Sequence, residues 1–375
     1  MSRRAAWPIT VAAGAAGLLA LGTVAATAAT TGARPATAQK WRITTSVKTN
    51  GTADFTAVVA TGKTTGWAFD GTGFDSAPIA YQLSGGKWKK ASFPGKKNEE
   101  VITAAATSPS NVWAFTQGFG APSRVLHYNG HTWSVVKAFS AADQIEDASV
   151  VAANDVWVFG GVVYSNQPGL GVWHYNGSKW TQLSKTIQGG SALSASNVWG
   201  FQGVNVEHWN GVRWTATSVK SLLPTQSKQK LNHPALVGIL ALSAKNVYAI
   251  GNGFQEDEGG PVVVLHYNGS KWTRVSPQGQ FGFGPGAGGS DGPEFSSDGS
   301  GGLWLPMMGP IESSGFLLHF AAGKLTVAAL PVANSKITIS AVSRIPGTTQ
   351  QLAGGFTHAS GNLGGNPVAV LLKYS

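Results

Sequence analysis

The sequence predicts an all-β fold, a seven-bladed β-propeller, from two repeated segments and from the way the chain ends. One segment has the form Asn/Asp-Val-Trp, a short apolar strand that follows a small polar turn. The other has the form His-Tyr-Asn-Gly-x-x-Trp, in which two strands flank a turn. Asn-Gly between apolar residues is a strong hairpin signal because both residues tolerate positive φ. Each repeat therefore carries four short strands over roughly four to five dozen residues, which is the content of one propeller blade.

The hairpin segment recurs along most of the chain. Clear copies are His127–Trp133, His174–Trp180, His208–Trp214 and His266–Trp272, and weaker copies are Gln82–Trp88 and His319–Leu325. The strand before the hairpin recurs with it, at 111–115, 154–159, 197–201 and 246–251 and more loosely at 66–69 and 302–305. A further apolar stretch precedes that strand, as at Val101–Ala105 and Val237–Ala241. This stretch supplies the first strand of each unit.

The last repeat is incomplete, and the N-terminal part of the chain carries the missing piece. The chain ends at Lys373-Tyr374-Ser375, where other repeats have their third strand, so the fourth strand is absent. Lys40–Ser46 resembles the fourth strand at Lys271–Ser276 but has no strand before it. We predict that residues 40–47 supply the outer strand of the final blade, which closes the ring without an open edge. Six complete units and one split unit make seven blades, within one domain of residues 39–375.

Residues 1–38 have the pattern of an export signal and a short linker. Arg3 and Arg4 precede an uncharged and mostly apolar run from Trp7 to Ala29, and small-x-small cleavage patterns follow at 26–28 and 36–38. An uncleaved anchor is the alternative, because the run is long enough to cross a bilayer. The pattern predicts a secreted or cell-surface protein that contacts the membrane only if the leader remains. The chain has no Cys, which excludes a disulfide framework and a thiol nucleophile.

The formal net charge is +10, and many of the basic residues lie on the predicted fourth strands and the turns before them. These residues are Lys87, Lys89, Lys90, Lys179, Arg213, Lys271, Arg274 and Lys324. Fourth strands form the outer rim, where charge opposes pairing with other edges. Attraction to an anionic surface or polymer is the alternative. No basic patch carries interleaved aromatic residues, so nucleic-acid binding is not expected.

Acidic residues concentrate on the variable loops, which join the second strand to the third and one blade to the next; Asp70, Glu99, Glu100 and Asp147 are among those expected there. Function commonly lies on variable loops that a rigid scaffold positions. The candidate ligand-binding residues are Asp147, Glu256, Asp257, Glu258, Asp291, Glu294 and Glu312. Paired carboxylates can bind Ca²⁺, bind a cationic ligand, or act as acid and base on a sugar polymer, and solvated loop charges are the alternative. No run has the spacing of a dedicated calcium loop, so no cofactor is predicted, with Ca²⁺ as the alternative.

Histidine and tryptophan recur at fixed positions of the repeat. Five histidines share one position on the third strand: His127, His174, His208, His266 and His319. Tryptophans share one position on the second strand and another on the fourth, with Trp41 as the counterpart at the closure. Recurrence at one structural position indicates packing rather than catalysis. We predict that the tryptophans pack between neighbouring sheets, where they bury a large apolar area.

The order Gly160-Gly161, Tyr175 and Trp180 resembles the kelch repeat, in which a Gly pair ends the second strand and a Tyr and a Trp follow on the next two. The third and seventh units keep the Gly pair, and the other units depart from it. The units also resemble those of exported bacterial propellers. Two enzyme classes with related folds do not fit. The copper oxidases use a Cys-linked Tyr, and sialidases use three Arg on the loop face, where only Arg124 is expected.

We therefore expect an exported, monomeric binding or scaffold module. Its ligand, a protein or a polysaccharide, would meet the acidic variable-loop face. The alternative is a polysaccharide hydrolase or lyase that uses two carboxylates from the same loops as acid and base. The residues available for that chemistry are Glu256, Asp257, Glu258, Asp291 and Glu294.

Overall fold

The strands of the protein form seven four-stranded antiparallel sheets. The computed structural model describes residues 39–48, 54–71, 76–161, 169–224, 232–254, 262–277, 295–307, 316–333, 336–357 and 367–375. Within these ranges the helical structure includes a short 3-10 turn at Lys220–Leu222. No helix there is long and apolar enough to cross a membrane. The predicted all-β fold, a seven-bladed β-propeller, is confirmed.

Each of the first six blades is a meander of consecutive strands. Blade 1 has β2 (Asp54–Gly62), β3 (Thr65–Gly71), β4 (Ile79–Ser84) and β5 (Lys87–Ala91); blade 2 has β6 (Glu99–Ser108), β7 (Asn111–Gly118), β8 (Arg124–Tyr128) and β9 (Trp133–Ala138). Blade 3 has β10 (Asp147–Ala152), β11 (Asp155–Gly160), β12 (Gly171–Tyr175) and β13 (Trp180–Ser184); blade 4 has β14 (Gly189–Ser194), β15 (Asn197–Gln202), β16 (Asn205–Trp209) and β17 (Trp214–Ser218). Blade 5 has β18 (Asn232–Ser243), β19 (Asn246–Phe254), β20 (Val262–Tyr267) and β21 (Trp272–Arg274); blade 6 has β22 (Ser296–Ser297), β23 (Leu303–Met307), β24 (Phe316–Ala321) and β25 (Lys324–Val327).

Blade 7 joins the two ends of the chain. It consists of β26 (Ile337–Arg344), β27 (Gln351–Thr357), β28 (Val368–Tyr374) and β1 (Trp41–Lys48). β1 pairs antiparallel with β28, from Trp41 opposite Tyr374 to Lys48 opposite Val368. The predicted closure by residues 40–47 is confirmed. The strand begins and ends one residue later than predicted. The closing strand alternates between covered and exposed residues, as expected for an outer strand with one face on a core.

The hydrophobic core lies between the blades. Buried side chains form seven separate clusters, and each cluster joins the facing surfaces of two adjacent blades. Phe55 of blade 1 and Leu371 of blade 7 share one cluster, so the ring is closed by packing as well as by strand pairing. The predicted tryptophan packing is confirmed, because Trp67 of blade 1 lies 5.1 Å from Trp133 of blade 2 and Trp199 lies 5.9 Å from Trp272.

The histidine of each hairpin packs on the aromatic ring of the second strand. In blade 3, His174 stacks on Trp157 with 4.1 Å between ring centroids. Both rings also bond to one carboxylate oxygen: Asp155 Oδ1 accepts from Trp157 Nε1 at 2.8 Å and lies 2.9 Å from His174 Nε2. The Asn at this position does the same for both rings in blade 2 and bonds the histidine in blades 4 and 5. The Asn/Asp-Val-Trp segment and the histidine of the hairpin therefore form one structural unit.

Replacing Asp155 with Ala is expected to lower the free energy of unfolding by about 1–3 kcal/mol, because it leaves the indole and imidazole nitrogens without their acceptor. Denaturant titration measures the loss. The matched control is Asp155→Asn, which installs the side chain that blades 2, 4 and 5 already use. We expect Asp155→Asn to remain within about 0.5 kcal/mol of the wild type. Equal losses in the two variants would contradict a hydrogen-bonding role.

The two faces of the ring differ in their connections. The turns between first and second strands and between third and fourth strands are short, and we call this side the tight-turn face. The loops between second and third strands and between blades lie on the other side, the variable-loop face. Every first strand therefore starts at the variable-loop face and ends at the tight-turn face. A residue at the start of a first strand is consequently placed at the variable-loop end of the axis.

The outer strands carry the basic charge that was expected there. Lys87, Lys89 and Lys90 of β5 are exposed, as are Lys179, Arg213, Lys271 and Lys324 in or before other outer strands. Arg274 is partly buried instead, and its guanidinium donates to the backbone oxygens of Leu222 and Leu223 at 2.7 and 2.6 Å. The basic residues are spread around the circumference, where charged side chains oppose edge-to-edge association.

Candidate functional site: the variable-loop end of the axial channel

A cavity of about 300 Å³ lies on the axis of the propeller. The first strands of all seven blades contribute to its wall, which is largely made of small and apolar residues such as Val58, Ala105 and Leu240. Polar groups on the wall include Asp147 and Gln188 on blades 3 and 4, and Arg344 on blade 7. Asp147 is the first residue of β10 and Arg344 the last of β26, so they lie at opposite ends of the axis.

Hydrogen bonds between adjacent first strands hold this wall together. Ser149 Oγ accepts the amide of Ala192 at 3.1 Å, and Ser191 Oγ accepts the amide of Ala241 at 3.0 Å. The sequence reasoning did not identify these serines. Their positions in first strands were visible, but their partners lie one blade further along the chain.

Asp147 is the one candidate ligand-binding residue that lies within the described ranges. Its Oδ1 accepts the amide of Ala148 at 2.7 Å, and its Oδ2 accepts the amide of Gly190 in blade 4 at 3.1 Å. Burial raises the pKa of Asp147 to about 7, and the two amide bonds oppose that rise because they favour the charged form. The two backbone amides therefore hold the carboxylate of Asp147 in place on the cavity wall.

Three further carboxyl groups interact at the same end of the axis, on blades 1 and 2. Asp54 starts β2, Glu100 lies at the start of β6, and Asp70 lies near the end of β3. Burial raises the pKa of Asp54 to about 8, the hydroxyl of Ser340 opposes the rise, and the charges of Glu100 and Asp70 add to it. Ser340 Oγ donates to Asp54 Oδ2 at 2.7 Å, which joins blade 7 to blade 1. Asp54 was not among the sequence candidates.

Asp70 is fully buried, and its carboxylate oxygens have no hydrogen-bond partner in the described part of the chain. Burial raises its pKa to about 6. The backbone of Asp54 and the charge of Lys90 oppose this rise. Burial also raises the pKa of Glu100. A carboxylate without a donor is costly to bury in its charged form.

Because these carboxyl groups have raised pKa values, their contribution to the stability of the folded protein is expected to fall as the pH rises. The pKa of Asp54 is about 8 in the folded protein, against an ordinary value of 3.8. Its contribution to the free energy of unfolding is therefore full below about pH 4 and is lost as the pH rises through about 8. Between pH 5 and pH 8 the stability of Asp54→Asn should rise relative to that of the wild type by up to about 4 kcal/mol, which is three pH units at about 1.4 kcal/mol each. Urea unfolding at several pH values measures the difference.

The control for this measurement is Asp143→Asn. Asp143 lies on the same face, and its carboxylate accepts a hydrogen bond from Ser140 at the surface. The pH dependence of this variant should match that of the wild type. Parallel pH dependences of Asp54→Asn and the wild type between pH 5 and pH 8 would contradict the assignment of the proton to Asp54.

The arginine expected near the variable-loop face has a buried partner. Arg124 forms a bidentate ion pair with Glu99, with Arg124 Nε 2.6 Å from Glu99 Oε1 and Nη2 bonded to Oε2. Thr116 Oγ1 and the amide of Lys96 also donate to the Glu99 carboxylate, at 2.6 and 2.9 Å. The side chains of Arg124 and Glu99 are 5% and 2% exposed. Arg124 is therefore engaged in the blade and is not presented to a ligand.

The structure corrects the position of several acids expected on loops. Asp70, Glu99, Glu100 and Asp147 belong to strands β3, β6 and β10, because the strands extend further towards the variable-loop face than the apolar pattern indicated. Six of the seven candidate site residues lie outside the described residues: Glu256, Asp257, Glu258, Asp291, Glu294 and Glu312. Within the described ranges no group of three or more His, Asp or Glu residues is placed to hold a metal ion. The candidate site and the Ca²⁺ alternative stay predictions.

Comparison with known proteins gives the fold. No protein family matches the chain, and no curated protein does. Solved structures do match. YCF48 bound to a D1 peptide aligns with a TM-score of 0.53 at 13% identity, over 89% of this chain and 96% of that one. The N-terminal domain of Nup159 gives 0.54 at 10% identity, over 90% and 96%. The Cps50 (Swd1) propeller of Myceliophteria thermophila gives 0.55 at 8% identity, over 88% and 99%. These likenesses concern the fold alone.

Proposed function

We propose that this protein is an exported binding or scaffold module that takes a protein ligand at its variable-loop face. The observation that carries the proposal is the placement of Glu146 and Asp147 on the cavity wall at the variable-loop end of the axis. Carboxylates at the mouth of a cavity raise the local concentration of cationic groups and orient them. The rigid ring of blades holds these groups, as binding sites on loop-bearing scaffolds require.

A solved propeller supports a peptide as the ligand. YCF48, which shares the fold with a TM-score of 0.53, has been solved bound to a D1 peptide. A peptide segment is a suitable ligand for a face built from strand ends, since these ends present backbone groups as well as side chains. A polysaccharide is the second ligand class that the sequence left open.

The test is a binding screen of the exported protein on peptide and glycan arrays, followed by an activity screen on polysaccharides. A variant with Glu256→Gln, Asp257→Asn and Glu258→Gln removes carboxylates from the candidate site. The matched control is Lys63→Gln, which lies in a short turn of the tight-turn face. We expect peptide binding that the triple variant weakens and the control retains.

Three outcomes would contradict the proposal. Binding that is equal in the triple variant and in the wild type removes the acidic loops from the site. Binding to glycans without binding to peptides replaces the ligand class. Turnover of a polysaccharide replaces the binding module with the hydrolase or lyase. Export is tested separately, because the protein recovered from the culture medium should begin near residue 29 or residue 39.

A further inference from the structure

We propose that the axial cavity takes up a lysine or arginine side chain of the protein ligand, with its cationic end at Asp147. This proposal rests on the function proposed above and names the group that enters the site. The cavity has a volume of about 300 Å³, which is the lower end of the range of ligand pockets. A cavity of that size holds one long side chain rather than a folded segment.

The wall of the cavity fits the aliphatic stem of such a side chain. Val237 and the ring of Phe295, which lies against Gly238, contribute apolar surface in the part of the cavity nearer the variable-loop face. Lysine and arginine bury their methylene stems on apolar surface while the charged end reaches a polar partner. A wholly polar or anionic side chain would lose its hydration against this wall without compensation.

Asp147 provides the partner for the charged end. Each of its carboxylate oxygens accepts one backbone amide, from Ala148 and from Gly190, so each oxygen keeps a lone-pair site for a further donor. The two amide bonds also fix the orientation of the carboxylate. A hydrogen bond between an ammonium group and such a carboxylate is charge-assisted and is stronger than one between neutral groups.

An aromatic ring borders the same point. A Cβ atom on Gly189 would lie 3.5 Å from Asp147 Oδ2 and 2.6 Å from the ring of Phe201, so the carboxylate and the ring flank this glycine. Phe201 and Phe295 both line the cavity. A cation close to a phenyl ring gains a further electrostatic attraction to its face. A cationic group therefore meets a carboxylate and an aromatic ring within one small volume.

The charges on the cavity wall set the direction of entry. Glu146 and Asp147 line the variable-loop end, and Arg344 lines the tight-turn end. A cationic side chain that enters from the variable-loop face meets the carboxylates first, and the guanidinium of Arg344 opposes its passage further along the axis. An anionic side chain meets repulsion at the mouth. The cavity therefore selects the sign of the charge that enters.

The test compares two blocked pentapeptides on the full-length exported protein, one with a central lysine between glycines and one with norleucine in its place. Norleucine keeps the stem and lacks the ammonium group. Titration calorimetry should give an affinity for the lysine peptide at least about tenfold above that for the norleucine peptide. Equal affinities for the two peptides would overturn the proposal without the need for any variant.

Variants then locate the contact. Asp147→Asn should bring the affinity for the lysine peptide down to that for the norleucine peptide, and Asp147→Glu should retain a preference for lysine. Asp143→Asn, on the same face but outside the cavity wall, is the control and should bind as the wild type does. Full affinity in a folded Asp147→Asn protein would overturn the proposal. If the ligand from the array screen still needs Glu256–Glu258 in that case, the proposed function stands and only the cavity assignment fails.

Discussion

Replacing Glu99 with Ala is expected to lower the free energy of unfolding by about 3–5 kcal/mol, because it leaves the guanidinium of Arg124 buried without its counter-charge. The carboxylate accepts from four groups: Arg124 Nε, Arg124 Nη2, Thr116 Oγ1 and the amide of Lys96. All four donors lose their acceptor together. Guanidinium chloride unfolding, followed by tryptophan fluorescence, measures the change.

Glu100→Ala is the matched control for this prediction. Glu100 is the next residue of the same strand, and no residue in the described ranges forms an ion pair with it. Burial raises its pKa, so removing the carboxyl group should leave stability near that of the wild type or increase it slightly. A double variant, Glu99→Leu with Arg124→Met, should recover part of the loss, since an apolar pair can replace a buried ion pair. Equal losses for Glu99→Ala and Glu100→Ala would contradict the assignment.

The repeat made most of the fold predictable from the sequence. The hairpins around Asn129, Asn176, Asn210 and Asn268 are local features, because each Asn Oδ1 accepts backbone amides two and three residues later. Such contacts depend only on neighbouring residues, so a short motif indicates them. The closure was predictable for a related reason: a strand without a partner at one end of the chain matched a blade that lacked one at the other.

The candidate site was predicted only in part, because its contacts join residues from different blades. Asp147 and Gly190 are 43 residues apart, and Asp54 and Ser340 are 286 apart. No local motif signals such a pair. Charged residues are usually exposed, so the sequence pattern predicts loops at the acids near strand starts. Glu99 shows why this fails: a carboxylate with four donors can lie within a strand and be buried.

Removing the closing strand is expected to destabilise the protein more than Glu99→Ala does. A chain that begins at residue 49 lacks β1 and leaves the edge of β28 unpaired from Val368 to Tyr374. It also uncovers the cluster around Trp41, whose ring lies 5.3 Å from both Trp304 and Tyr374. An open edge beside an exposed apolar surface favours association between chains. We expect loss of cooperative unfolding and aggregation, measured by thermal denaturation and light scattering.

Single substitutions separate the packing of this strand from its pairing. Trp41→Ala keeps the backbone pairing and should cost about 3–5 kcal/mol, because Trp41 is 3% exposed and fills the contact between blades 6 and 7. Arg42→Ala, one residue later on the exposed side, should change stability by less than about 0.5 kcal/mol.

If β1 acts as a separable outer strand, a peptide of residues 39–48 added to the shortened chain should restore cooperative unfolding. A shortened chain that unfolds cooperatively without the peptide would mean that six complete blades and three strands of the seventh are sufficient, and that β1 protects the edge without holding the ring together.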